Sequence, residues 1–140
     1  MSITTQELIE RLNEDLRWEY TAAVQYVQHS AVMTGAAHMG IRKELVVRAG
    51  EEVRHAIALA AQIHYLRGTP VADLYQVRTS RDNETMLQVE LEEENEAIRR
   101  YVQRIQEAEE LKLFHLAQQL RQILAAEQEH AMRLEEALGR

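Results

Sequence analysis

No cysteine occurs among the 140 residues of this chain, and glycine (5), proline (1), tryptophan (1) and phenylalanine (1) are nearly as scarce. The missing thiols exclude a disulfide scaffold, an iron–sulfur cluster, a zinc ribbon and a thiol nucleophile, and they suit a reducing compartment. Positive charge is also short. Lys+Arg 16 against Asp+Glu 23 gives a formal charge of -7, which disfavours nucleic acid and anionic membrane surfaces as partners and favours cations. The N-terminus reads Met-Ser-Ile-Thr-Thr-Gln-Glu, without the basic segment and apolar run of a signal peptide, so a cytoplasmic protein is expected. One uncharged stretch, Tyr20 to Ile41, is long enough to span a bilayer. It carries Gln25, Gln28, His29, Ser30, Thr34 and His38, too many polar groups for hydrocarbon, and no membrane span is expected.

What remains is 46% hydrophobic, recurring at three and four with little glycine or proline to interrupt it, and this predicts an all-α chain. The length suits one domain, residues 1–140. Four helices follow from the signals. The first starts at a capping box, Thr4 with Glu7, and stops at Thr34-Gly35. The second runs from near His38 to Leu66 or Arg67, where Gly68-Thr69-Pro70 ends it. The third begins near Asp82. No glycine or proline separates it from the fourth, but the apolar stripe changes phase around residues 109 to 112, which predicts a turn there. Between the second and third helices lie residues 69 to 81. At roughly 3.3 Å per residue they reach about 43 Å, the length of a helix of about 28 residues. The architecture expected is therefore a four-helix bundle with one long crossover between its second and third helices.

Each core stripe is broken once by a carboxylate. The first helix reads Leu8, Leu12, Leu16, Glu19, Ala23, Tyr26; the second Leu45, Ala49, Glu52, Ala56, Leu59; the third Leu87, Leu91, Glu94, Ile98, Tyr101; the fourth Leu120, Leu124, Glu127, Ala131, Leu134. Each glutamate lies near the middle of its helix, so an antiparallel bundle gathers all four into one layer. Ionised carboxylates without partners cost several kcal/mol each in an apolar interior, so a positive species is required there. On the acidic third helix Glu90 and Glu93 are the rivals of Glu94 for this position.

Two histidines sharpen the pattern: His55 follows Glu52, and His130 follows Glu127, each at i+3 on the same face. Glu-x-x-His alone is a weak signal in so acidic a chain. The spacing strengthens it. Glu19 to Glu52 and Glu94 to Glu127 are both 33 residues apart, so Glu-x32-Glu-x-x-His occurs twice at an offset of 75. The same offset lays Leu12 on Leu87, Tyr26 on Tyr101, Leu45 on Leu120 and Leu59 on Leu134. The halves are thus two helical hairpins of one design, each bringing a Glu-Glu-His set. A glutamate from each of two helices with Glu-x-x-His from each of the other two is the ligand pattern of ferritin-like di-iron and di-manganese proteins. Oxygen ligands with one imidazole per metal suit iron or manganese; zinc could occupy such a site in vitro.

These residues carry a family resemblance. The chain resembles bacterioferritin over nearly its whole length, through Leu12-Asn13, Gln25-Tyr26 after Glu19, Glu52-Val53-Arg54-His55-Ala56 and Glu127-Gln128-Glu129-His130. The resemblance implies a di-iron ferroxidase with two iron ions per chain. Glu52 and Glu127 would bridge them, Glu19 and His55 would complete one ligand set, and Glu94 and His130 the other. Fe(II) would be oxidised by O2 or H2O2, for iron storage or detoxification. Three positions depart from the family. Val53 stands where bacterioferritin supplies a haem-ligating methionine, so no haem is expected. Val47 and Arg48 replace the His and Glu of an inner-surface iron site. The chain ends at Arg140 without a fifth helix, which leaves the size of any shell open. A rubrerythrin-like peroxidase or small-molecule oxidase is the second reading; such proteins typically add a glutamate where Ala97 stands. A helical interaction module without functional metal is the third.

For the remaining residues the expectations are modest. Tyr26 and Tyr101 read as core aromatics, with a bond from Tyr26 to a bridging carboxylate as the sharper alternative. Asp15, Glu51 and Glu90 are candidates to accept the outer N–H of a ligand histidine. His29, His38, His64 and His115 read as surface or interface residues, and Trp18 as a boundary residue. Glu92, Glu96, Arg99, Arg100, Gln103 and Arg104 form a charged ring on the third helix. The first and second helices keep a second apolar face, including Val24, Val27, Val46, Val53 and Ile57, which predicts a homodimer through them.

Overall fold

The computed structural model describes residues 2–140. Four helices account for most of them: α1 (Thr5–Val32), α2 (Met39–Tyr65), α3 (Asn83–Glu110) and α4 (Phe114–Ala137), with one turn of 3-10 helix, Ala36–His38, leading into α2. Among the described residues there is no strand, and no helix is long and apolar enough to cross a membrane. Caps explain the starts. Thr4 and Glu7 form the expected capping box, and Asp82 accepts from the Thr85 N–H at 2.9 Å. At the turn between α3 and α4, Lys112 takes a left-handed φ of 60° and the Leu113 N–H returns to Ala108 O at 2.9 Å. This helix-ending geometry usually uses glycine; with a lysine in its place, the change of stripe phase around residues 109 to 112 is what predicts the turn found here. α2 ends the same way on Arg67 (φ 73°). Gly68 beside it serves another purpose. A Cβ there would lie 2.5 Å from Ile9 Cγ2, so glycine lets the chain pass close over α1.

Residues 69–81 then run the length of α1, held by a polar stripe that repeats every four residues. Asn13 Oδ1 accepts from the Val71 N–H (2.9 Å), Arg17 pairs with Asp73 (3.0 Å), Thr21 Oγ1 accepts from the Tyr75 N–H (2.9 Å), and Gln25 Oε1 accepts from the Arg78 N–H (2.8 Å). His29 Nε2 closes the series by donating to Arg78 O at 2.8 Å. The crossover is thereby fixed in register along the bundle, as its length predicts.

α1 pairs with α2 and α3 with α4, and the hairpins meet chiefly through α1 and α3. Cross-pairs show α1 and α3 to be antiparallel. Asp15 meets Arg104 at 2.6 and 3.1 Å, and His29 Nδ1 meets Glu90 at 2.7 Å. The 75-residue offset converts one pair into the other. Two sequence expectations are corrected here. Arg104 does not lie in the exposed ring and His29 is not on the surface; both are buried, each against a carboxylate from the opposite hairpin. Apolar side chains form two clusters, one around Leu12, Leu59 and Leu120, the other around Met33, Leu45 and Leu134. Between them lies the polar layer that positions the site.

Arg104 also holds Glu107 at 2.7 Å. Its removal would strip Asp15 of its nearest cation, leaving Arg100 at 3.4 Å, and would take from Glu107 one of its two arginines; breaking such a buried pair typically costs about 3 to 5 kcal/mol. Arg104→Ala is expected to lower unfolding free energy by about that amount in urea denaturation of the metal-free protein, whereas exposed Arg99→Ala should change it by less than about 1 kcal/mol. Equal effects of the two would overturn this account of the seam.

Candidate metal centre

α1 to α4 each deliver one mid-helix glutamate into the layer: Glu19, Glu52, Glu94 and Glu127 are 1 to 3% exposed. One turn further on, α2 and α4 add His55 and His130. His55 Nδ1 lies 3.2 Å from Glu52, 3.4 Å from Glu127 and 3.6 Å from Glu19. His130 Nδ1 lies 3.6 Å from Glu94, 3.8 Å from Glu127 and 3.9 Å from Glu52. Glu52 and Glu127 therefore stand within reach of both imidazoles, while Glu19 and Glu94 each approach one. All six sequence-predicted residues converge, and Glu94, rather than Glu90 or Glu93, is the α3 member.

The donor atoms test whether metal ions suit this cluster. Glu19 Oε2, Glu52 Oε1, Glu94 Oε2, Glu127 Oε1, His55 Nδ1 and His130 Nδ1 are all buried without a hydrogen-bond partner among the described residues. Buried polar atoms are rarely left so. Glu19, Glu52, Glu127 and His55 present atoms within 4.8 Å of one another, and Glu94, Glu127 and His130 do the same. Oxygen donors with one imidazole per group fit two divalent ions of intermediate hardness.

The metal-free electrostatics are correspondingly tense. Burial pushes the Glu52 and Glu127 carboxyls well above the usual range, and their acidic neighbours push them further. Burial presses Glu94 upward too, but the neighbouring His130 imidazole outweighs it and holds this carboxyl below the ordinary value. Burial works against a charged His55, yet the Glu127 and Glu19 carboxylates overcome it and raise its pKa to about 10. Like charges crowded in low dielectric thus hold protons that a metal would displace.

Around the six residues, both tyrosines are core aromatics with bonded hydroxyls, as expected, but the sharper alternative for Tyr26 is corrected. Tyr26 donates to Glu94 at 2.6 Å, not to either central glutamate, and Tyr101 donates to Glu19 at 2.5 Å. The Tyr101 contact was missed by sequence reasoning, although the 75-residue offset that superposes the two tyrosines carries the signal for it. Of the three candidate acceptors for histidine, Glu51 binds His130 Nε2 at 2.6 Å. Asp15 is engaged by Arg104, and Glu90 by His29 and Gln25. Arg48, unremarked as a core residue in the sequence, is 3% exposed and lines a cavity of about 280 Å³ with Lys43, Glu51 and His130. On the opposite side, a narrow gap between Ala22 and Ala97, flanked by Trp18, Glu93 and Arg100, reaches all four glutamates. Trp18 packs on Tyr75 (4.5 Å) and under Arg100 (5.2 Å) at its rim.

Known proteins share this design. The ferritin family, described as a ferritin-like domain, matches residues 9–140. A bacterioferritin from Streptomyces coelicolor is 36% identical over 95 residues, a stretch that takes in 67% of this chain and 57% of that protein. A ferritin-like, diiron-carboxylate protein from Bacillus anthracis superposes with a TM-score of 0.93 at 33% identity, covering 99% of each chain. A bacterioferritin-related protein from Bacteroides fragilis, described as a dodecameric thioferritin, gives 0.90 at 28% identity over 99% of this chain and 88% of that one. With its helices, glutamates and histidines arranged in this way, the chain belongs to the ferritin-like family of di-iron-carboxylate proteins and is related to the bacterioferritins.

Proposed function

We propose that this protein is a ferroxidase that binds two Fe(II) per chain through Glu19, Glu52, His55, Glu94, Glu127 and His130 and oxidises them for iron storage or detoxification. The observation that carries the reading is the set of six buried donor atoms, one from each residue, turned toward one another without other partners. Glu52 and Glu127, each within reach of both imidazoles, would be shared between the two ions; Glu19 with His55 and Glu94 with His130 would complete the two ligand sets. Each Fe(II) gives up one electron. The pair reduces O2 to H2O2, or H2O2 to two waters, with two protons taken up in either case.

The chain's own groups prepare that exchange. Tyr101 and Tyr26 hold Glu19 and Glu94 from the opposite hairpin, so each terminal carboxylate keeps one oxygen bonded and one free. Glu51 accepts from His130 Nε2, which leaves Nδ1 as the lone-pair donor. The narrow gap at Ala22 and Ala97, which reaches the four glutamates, would serve as the approach for small reactants. A reducing cytoplasm, where Fe(II) persists, is the compartment such an activity serves. Val53 offers no axial ligand, and haem has no part in this reading.

The assembly proposed is a homodimer through α1 and α2, open to further association. Val24, Val27, Val46, Val53 and Ile57 leave apolar side chains 47 to 64% exposed on one face of this hairpin.

Anaerobic titration with Fe(II) followed by air should show near-ultraviolet ferric absorbance breaking near two ions per chain, with uptake continuing beyond. Saturation at two with no further uptake would favour a peroxidase or oxidase instead. Glu52→Ala and Glu127→Ala should each abolish fast oxidation; unaltered kinetics in either would remove the ligand assignment. Because His55 holds its proton up to about 10 in the metal-free protein, binding must displace it, together with protons held by the raised Glu52 and Glu127. Affinity should therefore fall as pH falls, and calorimetry in buffers of different ionisation enthalpy should register net proton release. Binding without proton release would contradict this electrostatic picture. Sedimentation at micromolar concentration should give a dimer or larger species that Ile57→Glu dissociates with helicity retained, whereas a wild-type monomer would rule the interface out.

A further inference from the structure

We propose that the cavity between α2 and α4 beside His130 binds a small tetrahedral oxyanion, inorganic phosphate being the simplest, through Arg48 and Lys43 with Arg133 at its mouth. The site does not depend on the di-metal reading.

Arg48 is the starting point. It lies four residues before Glu52, so the face of α2 that turns the glutamate inward turns the arginine inward as well, and the residue is 3% exposed. A guanidinium keeps its charge at any physiological pH, and a charge so deeply buried requires an acceptor. Glu44 comes nearest among the described residues, its Oε2 lying 3.5 Å from Nη2, at the outer limit of a hydrogen bond. Nη1 is buried with no partner among them. Arg104, also buried, shows the satisfied state: its three nitrogens donate to Asp15 and Glu107 at 2.6 to 3.1 Å.

The cavity has room for what Arg48 lacks. Its volume is about 280 Å³, and Lys43 from α2 and Arg133 from α4 share it with Arg48. Three acids line it too, but two are engaged, Glu51 with His130 Nε2 at 2.6 Å and Glu129 with Arg133 at 3.3 Å. Lys43 pairs with no acid among the described residues, so it and Arg48 are left with Glu44 alone. A guanidinium edge presents two N–H groups at the spacing of two oxyanion oxygens, and an ammonium beside it adds a point charge. A water could satisfy Nη1 but would not answer the charge.

The internal repeat shows that the fold does not need these cations. At the offset of 75, Lys43 falls on Gln118, Arg48 on Ile123 and Arg133 on Ala58. Ile123 fills the matching place as part of an apolar cluster. No hydrogen bond or ion pair joins Arg48 to the four central glutamates, so it is not their counter-ion by contact. Under the ferroxidase reading, an oxyanion here would stand beside the imidazole at one end of the layer, where oxidation adds positive charge.

Calorimetric titration of the full metal-free chain with inorganic phosphate at low ionic strength should reveal a single site per chain. Crystals soaked in arsenate should show an anomalous peak against Arg48, between α2 and α4. Arg48→Gln should weaken phosphate binding at least about 10-fold. Arg48→Lys, which keeps the charge and loses the fork, should recover part of that loss. Lys43→Gln, at an exposed position, should weaken binding about 2- to 5-fold and tests the site even where an Arg48 variant fails to fold. Arg121→Gln, outside the cavity, should leave binding unchanged. No phosphate binding by the wild type, arsenate bound only elsewhere, or affinities that Lys43→Gln and Arg121→Gln alter equally would each overturn the site. None of these results touches Fe(II) binding by the six donor residues, so the two readings fail separately.

Discussion

Four carboxylates share a water-poor layer at the middle of a four-helix bundle, and the rest of the structure is arranged around the cost of that fact. Low dielectric disfavours each charge singly, and proximity disfavours them jointly. The apolar core is cut into two clusters to make room for the layer. Protons on Glu52 and Glu127 and a retained proton on His55 relieve the repulsion in the metal-free protein. They do so while leaving six donor atoms unpaired. Two divalent ions would satisfy those atoms and neutralise the carboxylates together, which is why one structural problem and one chemical proposal have a common solution.

The two hairpins are tied across the α1–α3 seam by contacts that the internal repeat doubles. Tyr26 holds Glu94 while Tyr101 holds Glu19; His29 meets Glu90 while Arg104 meets Asp15; Gln25 reaches Glu90 while Arg100 reaches Asp15. Each hairpin therefore supplies the groups that restrain the other's acids. The restraints cannot form within one hairpin alone, so closure of the bundle and orientation of Glu19 and Glu94 are a single event. Substitution of arginine for histidine, or arginine for glutamine, between mates makes the halves chemically unequal while their geometry stays matched.

Features that depend on local periodicity were legible in the sequence: the capping box, the crossover long enough to follow α1, the glutamates interrupting apolar stripes, and the repeat of 75. Phase favoured Glu94 but left Glu90 and Glu93 as rivals, and Glu90 is as deeply buried; its partner His29, on another helix, is what separates it from the metal layer. What escaped reading depends on partners distant in the chain. Arg104 has an outward-looking neighbourhood on its own helix, and only Asp15, 89 residues away, explains its burial. His29 reads as an isolated polar residue until Glu90 and the Arg78 carbonyl are placed beside it. The turn at Lys112 was legible only through the change of stripe phase around residues 109 to 112, because a non-glycine residue there adopts the left-handed conformation at some local cost.

Charge balance also bears on whether iron stays or passes through. Four glutamates match two Fe(II), but two Fe(III) bring two further positive charges into the same layer. Nearby groups do little to absorb them, since Asp15 is already paired with Arg104 and Glu90 with His29. Arg48 adds a buried positive charge on one side. Ala97, at 6% exposure, occupies the position at which the rubrerythrin-like reading calls for another carboxylate, and a methyl group there contributes no charge. A fifth carboxylate would retain the oxidised ions as a resident cofactor. Without it, under the proposed ferroxidase reading, the excess charge would have to be relieved by anions from solvent or by departure of the ions, and departure is the outcome that storage would require.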